Sequence, residues 1–207
     1  MVDHIGEARV LNIPSESQFL YNLAPSWTID FADFEVSKLM EEIGVKKTCY
    51  NLSTFEDNSF DAIIGIAPLH HLNDNEQIEF ITAVKQKLIS GGRFVIAEPL
   101  RESNVALFLD TFIDRYSSTC HIGNYPSAEL LKLLTKIGFV QVKMITIDCG
   151  LVFLSEYQMI EWLKKALGIQ FSNKQRLISE LEQALGITKT KDCLQLNWEL
   201  TFFIAEA

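Results

Sequence analysis

The sequence predicts an α/β protein: a Rossmann-like, doubly wound, mostly parallel seven-stranded sheet with helices on both faces and a helical insertion before the last strand. Three observations carry that expectation. Residues 55–98 contain one complete strand, helix, strand unit, and a crossover of this length is nearly always parallel and right-handed. Phe60 to Ala67 is an almost unbroken apolar run of strand length, the pattern of a strand buried on both faces. Along the rest of the chain, short apolar runs alternate with stretches in which apolar residues keep helical spacing, the alternation that builds such sheets.

Taken in order, Ala8 to Ile13 is a short apolar strand, after which Ser15 and Ser17 are placed to cap a helix over Gln18 to Leu23. Trp27 to Phe31 is the second strand. Asp30 or Asp33 then caps a helix from Phe34 to Ile43 that ends at Gly44, and Lys47 to Leu52 is the third strand. Asp57, Asn58 and Ser59 mark a turn into the fourth strand, Phe60 to Ala67. Asn73 and Glu76 have capping-box spacing; Ile78, Ile81, Val84 and Leu88 keep helical spacing; and Gly91-Gly92 is expected to stop that helix. Phe94 to Ala97 is the next strand.

Beyond it, a helix over Asn104 to Ser117 carries Val105, Phe108, Leu109, Phe112 and Ile113 on one face. Ser127 caps a helix with Leu130, Leu131 and Leu134 inward and Gly138 at its end, and Val140 to Ile147 alternates as a strand. Residues 155–187 read as two more helices, with capping-box spacing at Ser155/Gln158 and Ser172/Gln175 and stops at Gly168 and Gly186. Leu194 to Ala205 is the final strand. The whole, residues 1–207, reads as a single domain with 155–187 as the insertion.

Composition narrows the partners. The 207 residues carry 27 acidic against 18 basic side chains, a net charge of −9, which works against a nucleic-acid partner because such affinity rests on Lys and Arg neutralising phosphates. Cys49, Cys120, Cys149 and Cys193 are far apart and form no metal-ligand spacing, so reduced thiols and no metal are expected. The first residues show no basic region leading into an apolar run, and no apolar stretch is long enough to span a membrane, so a soluble cytoplasmic protein is expected.

A resemblance rests on several of these residues in order. Asn58-Ser59-Phe60-Asp61 opens a strand and Leu69-His70-His71-Leu72 closes it. Leu88-Ile89-Ser90-Gly91-Gly92-Arg93-Phe94-Val95-Ile96 opens the next, and Pro126-Ser127 is followed by Glu129-Leu130-Leu131, Leu133-Leu134 and Gly138-Phe139. In combination they resemble the second half of a class I S-adenosylmethionine-dependent methyltransferase domain. Glu161-Trp162-Leu163-Lys164 adds a likeness to the trans-aconitate and malonyl-carrier-protein methyltransferases, which wall the substrate pocket with inserted helices. The resemblance implies S-adenosylmethionine as cofactor, a small-molecule substrate, and Trp198 to Ala205 as an antiparallel seventh strand at the sheet edge.

It also implies site residues. The family places a glycine-rich turn after the first strand; here Asn12, Pro14 and Ser15 occupy that place, and Asn12 to Gln18 contains no glycine. Asp30 corresponds to the acid that accepts hydrogen bonds from the ribose hydroxyls, Asn51 and Leu52 to the residues beside the adenine, and Ala67 to the end of the fourth strand. His70 and His71 come after that strand, where ligands bind in doubly wound sheets, and a histidine there is suited to general-base work at neutral pH. Glu98, Arg101 and Glu102 come after the fifth strand, placed either to meet a polar substrate or to lie in a solvated loop; Tyr116, His121, Tyr125 and Tyr157 are further candidates to line the pocket. Two functions stay open. One is a small-molecule methyltransferase. The other is a methyltransferase-fold protein with a degenerate cofactor site, serving as a partner subunit in a homo- or hetero-oligomer through the surface left open by a short N-terminus.

Overall fold

The computed structural model describes residues 8–13, 28–31, 34–36, 48–50, 52–117 and 122–207. The chain divides into two compact units, one of residues 1–98, 126–145 and 202–207 and one of residues 99–125 and 146–201. The first holds most of the main sheet, which consists of β1 (Arg9–Ile13), β2 (Thr28–Phe31), β5 (Phe60–Ile66), β6 (Leu88–Glu98), β7 (Val140–Asp148) and β11 (Glu199–Glu206), in the order β2-β1-β5-β6-β11-β7. β1 pairs in parallel with β2 on one side and β5 on the other, and β5 pairs in parallel with β6. The chain therefore winds outward in both directions from β1, as the apolar runs predict.

The strand count differs from seven in this sheet. β3 (Phe34–Val36) and β4 (Thr48–Tyr50) form a separate antiparallel pair, with Phe34 opposite Tyr50 and Val36 opposite Thr48. The expected third strand is thus paired outside the main sheet, and the start of the expected Phe34–Ile43 helix is a strand. Its first residues, Phe-Glu-Val, alternate as a strand does. The expected helix over Gln18 to Leu23 lies outside the described residues. The last strand also differs: it is two strands, β10 (Leu194–Leu196) and β11, and β11 lies between β6 and β7. In β11, Thr201, Phe203 and Ala205 alternate inward, and β7 is the edge strand, its Val140, Met144, Ile145 and Ile147 exposed.

The helix α1 (Asp74–Lys87) has the predicted capping box: the Asn73 side chain accepts from the Asn75 and Glu76 amides, and the Glu76 carboxylate accepts from the Asn73 amide. Its buried face is Gln77, Phe80, Ile81 and Val84, while Ile78 is exposed. The helix ends at Lys87, before the two glycines, and Leu88 is already extended. Gly91-Gly92 instead lie in a bulge of β6, where Phe60 pairs with Leu88 and Ala62 with Arg93. Gly91 takes a φ of +79° there, and the bulge exchanges backbone hydrogen bonds with Ala207. α4 (Glu129–Ile137) ends at Gly138 with φ +103°, as predicted, and buries Leu130 and Leu134. Phe139 beyond it stacks on Phe94.

The second unit packs α2 (Asn104–Leu107), a π-helical segment (Phe108–Ile113) and α3 (Asp114–Tyr116) against α5 (Glu156–Leu167) and α6 (Lys174–Ala184). The predicted stripe of Val105, Phe108, Leu109, Phe112 and Ile113 meets Met159, Ile160, Leu163, Leu177 and Leu181 in its core. Trp198 stands edge-on to both Phe108 and Trp162. β8 (Leu151–Phe153), β10 and β9 (Ile187–Lys189) form a small antiparallel sheet. Ser155 caps α5 as predicted, whereas α6 is capped by Asn173, one residue beyond the expected Ser172, because its amide oxygen reaches the Arg176 amide.

Across this helical unit, Glu180 accepts from Arg176 Nε and Arg115 Nη1, both at 2.8 Å. The Arg176 hydrogen bond foremost, with help from the Tyr116 hydroxyl and Arg115 and against the pull of burial, holds the Glu180 carboxyl down to about 2. Burial, and then its bond to Glu180, raises the Tyr116 hydroxyl. Because the folded value of Glu180 lies below its ordinary 4.5, its contribution to stability is complete above pH 4.5 and is lost as the pH falls toward about 2. Glu180→Gln is therefore expected to flatten the decline of stability across that window. Urea unfolding of both proteins at a series of acidic pH values measures it.

Candidate active site

The parallel strands of the first unit end together. Asn12 pairs with Phe31, Ile13 with Gly65, and Ile66 with Ala97, so the carboxyl ends of β2, β1, β5 and β6 form one line, with the topological switch point between β1 and β5. Gly65 lets the two central strands close up at that point: a Cβ there would lie 2.4 Å from the Ile13 carbonyl oxygen. Sequence reasoning passed over this glycine, whose signal is its place inside an otherwise apolar, β-branched strand.

β5 runs directly into a tightly held turn. Ala67 adopts a φ of +58°, rare for a residue with a Cβ, and its amide donates to the Ala97 carbonyl at 2.7 Å. Leu69 and Leu72 are fully buried beneath it. Glu98, the last residue of β6 and 0% exposed, accepts from the Leu69 amide with one carboxylate oxygen and bonds His70 Nδ1 with the other at 2.8 Å. From α1, Gln77 donates to the carbonyls of Leu69 and Leu72. A buried polar residue on a helix's inner face, at i−4 from Ile81, is the sequence signal for Gln77, and sequence reasoning missed its role.

Of the two histidines, His70 is buried and 5% exposed, while His71 is exposed, and their rings lie 4.1 Å apart between centroids. Glu98 is not a loop residue turned toward a substrate: it is sealed behind His70. Arg101, in the second unit, donates its Nε to the Tyr125 carbonyl, and Tyr125 is buried with its hydroxyl on Asp110. Tyr157 is 70% exposed.

The residues expected to hold a cofactor are placed unevenly. Asn12 is 1% exposed, one residue short of the end of β1; Asp30 is one short of the end of β2, in register with Leu11; Leu52 is buried. Pro14, Ser15 and Asn51, like His121, lie outside the described residues. The described part of the edge fits a nucleoside-bearing cofactor: a line of strand ends at a switch point, an acid near the end of β2, and a pinned turn after β5. Among the described residues no group of three or more His, Cys, Asp or Glu is arranged to hold a metal ion, and no helix is long and apolar enough to cross a membrane.

Residues 27–96 match the family model described as a methyltransferase domain. Among solved structures, the YcgJ protein of Bacillus subtilis is 17% identical over 99% of this chain and 94% of that one, with a TM-score of 0.60. An S-adenosylmethionine-dependent methyltransferase from Archaeoglobus fulgidus is 19% identical over 98% of this chain and 87% of that one, with a TM-score of 0.55. At these identities the likeness is one of fold. No curated protein matches the sequence.

The closeness of β1 and β5 makes the edge sensitive to a single methyl group. Gly65→Ala places its Cβ against backbone, which cannot rotate away, and is expected to destabilise the protein by about 1–3 kcal/mol, the range of overpacked cores. A lowered urea midpoint with an unchanged slope is the result expected.

Proposed function

We propose that this chain, whose residues 27–96 match a methyltransferase domain and whose fold is that of S-adenosylmethionine-dependent methyltransferases, is a class I S-adenosylmethionine-dependent methyltransferase acting on a small molecule. The observation that carries the reading is the line of strand ends at the β1/β5 switch point, closed on one side by the pinned turn from Ala67 to Leu72. The cofactor, when bound, supplies a methyl group already activated on a sulfonium. The chain's own tasks are then to hold, align and deprotonate.

In this reading Asp30 would accept hydrogen bonds from the ribose hydroxyls, Asn51 and Leu52 would serve the adenine, and Asn12, Pro14 and Ser15 would take the part of the family's glycine-rich turn. Ala67, at positive φ, would border the cofactor at the end of β5. His70 and His71 are the groups near that end able to take a proton from an acceptor at neutral pH. A small acceptor in a cytoplasmic setting, rather than a nucleic acid, is favoured by the net charge of −9.

A second reading has a specific observation in its favour: the segment Asn12 to Gln18 has no glycine where a close backbone approach to the cofactor would use one. There the chain would act as a partner subunit. Thermal unfolding with and without S-adenosylmethionine or S-adenosylhomocysteine, joined to calorimetric titration, separates the two. Saturation at 100 times the dissociation constant adds ~2.7 kcal/mol, a rise of a few degrees for a protein of this size, and Asp30→Ala is expected to abolish it. No rise in the intact protein overturns the enzyme reading and leaves the partner-subunit one.

A further inference from the structure

The pair formed by Glu98 and His70 lies wholly within the first unit and is sealed from solvent on the carboxylate side, with Glu98 0% and His70 5% exposed. Burying a carboxylate is costly unless its oxygens are met by donors. Here each oxygen is met: Oε1 by the Leu69 amide, Oε2 by His70 Nδ1 at 2.8 Å. A neutral glutamine would suffice to hold the amide. What a carboxylate adds is a second acceptor that only an N–H of the imidazole can satisfy, and a negative charge facing the ring.

We propose that Glu98 is a positioning residue that fixes His70 in the Nδ1–H form, so that the ring's lone pair sits on Nε2 and Nε2 is the proton-accepting atom of the site. An imidazole held from behind by a carboxylate has its tautomer and its orientation set by that bond. The Leu69 amide, bonded to the other oxygen, and Gln77, holding the Leu69 and Leu72 carbonyls, keep the turn that carries the ring from moving away from the carboxylate. The two Glu98 oxygens meet the Leu69 amide and the His70 ring, so His70, rather than the exposed His71, is the ring set by the acid.

That the proton comes from a methyl acceptor rests on the function proposed above. In that step the acceptor's X–H bond breaks and its proton passes to Nε2. The acceptor's electron pair forms the new bond to the methyl carbon, and the carbon–sulfur pair stays with the sulfur. Water then removes the proton from Nε2.

The tautomer itself is measurable without any ligand. In the whole chain labelled with 15N-histidine, the His70 signals are assigned by their loss in His70→Gln, and the one- and two-bond couplings show which nitrogen bears hydrogen in the neutral ring. The expected result is the Nδ1–H form in excess by about tenfold or more, the factor one charge-assisted hydrogen bond confers. Glu98→Gln is expected to erase that excess, because its amide can donate to Nδ1 as readily as accept from it. Glu98→Asp, which keeps the charge, should restore much of it. Circular dichroism and the unfolding midpoint establish that each variant is folded; if Glu98→Gln does not fold, the wild-type signal and Glu98→Asp decide. A neutral His70 carrying its hydrogen on Nε2, or an excess that survives Glu98→Gln in the folded protein, overturns the proposal. Failure of the cofactor to raise the unfolding temperature would instead sink the methyl-transfer reading and leave the tautomer assignment standing.

Discussion

A carboxylate with no access to water has to find all its hydrogen-bond donors inside the protein, and the turn after β5 is shaped around that requirement. Glu98 closes β6 and is met by the Leu69 amide and the His70 ring, both from the neighbouring parallel strand's exit. For the amide to point that way, the chain must turn sharply at the end of β5. It does so through Ala67 at positive φ, a conformation that costs about 1–3 kcal/mol and is held by its surroundings. The Ala67 amide bonds Ala97, Gln77 takes the turn's carbonyls, and Leu69 and Leu72 are buried below. Remove the acid, and the reason for the turn's geometry goes with it.

The same geometry explains why a site belongs at this edge. In a sheet that winds outward from its central strands in both directions, ligands bind beyond the carboxyl ends of the strands where the winding reverses, which here is between β1 and β5. β1 and β5 approach so closely there that only glycine fits at position 65. On the β5 side the edge is built from hydrogen bonds to the turn's backbone and from buried leucines. The proposed methyl transfer would ask that edge for alignment far more than for a battery of reactive side chains.

Much of this was legible in the chain itself, and the failures have physical causes. The β5–α1–β6 unit was readable because its apolar runs and its Asn73/Glu76 capping box are local signals that tertiary structure did not override. Gly138 was readable as a helix stop for the same reason. Gly91-Gly92 misled: a glycine signals positive φ, which a helix end and a strand bulge use alike, and only the pairing of Phe60 with Leu88 distinguishes them. The place of β11 inside the sheet depends on pairing between residues far apart in sequence, which no local pattern encodes. In the site, the histidines were visible as a pair, but nothing in Leu-His-His-Leu says which ring is buried. That choice is made by Glu98, 28 residues away along the chain from His70. Glu98 in turn looked like a loop acid, because the nearby Arg101 and Glu102 are charged and its burial comes from the strands beside it.

The two halves of the edge therefore stand on different footings. On the β5 side, a buried acid, a strained alanine and a doubly bonded glutamine are features that cost stability and are held in place by one another; chains keep such arrangements where position matters more than stability. On the β1 side, the glycine-free segment from Asn12 carries a proline and Glu16 where the family uses small, neutral, flexible residues. A fold alone does not fix an activity, since unrelated chemistries share this architecture. A protein that had given up the site for a scaffolding role would have little need of the β5-side device, because an apolar pair in place of Glu98 and His70 would hold two strands together at lower cost. The carboxylate and imidazole facing each other at the carboxyl edge of a parallel sheet are the costly feature of this edge, and the proposed role of Glu98 in setting the His70 tautomer gives that cost a use.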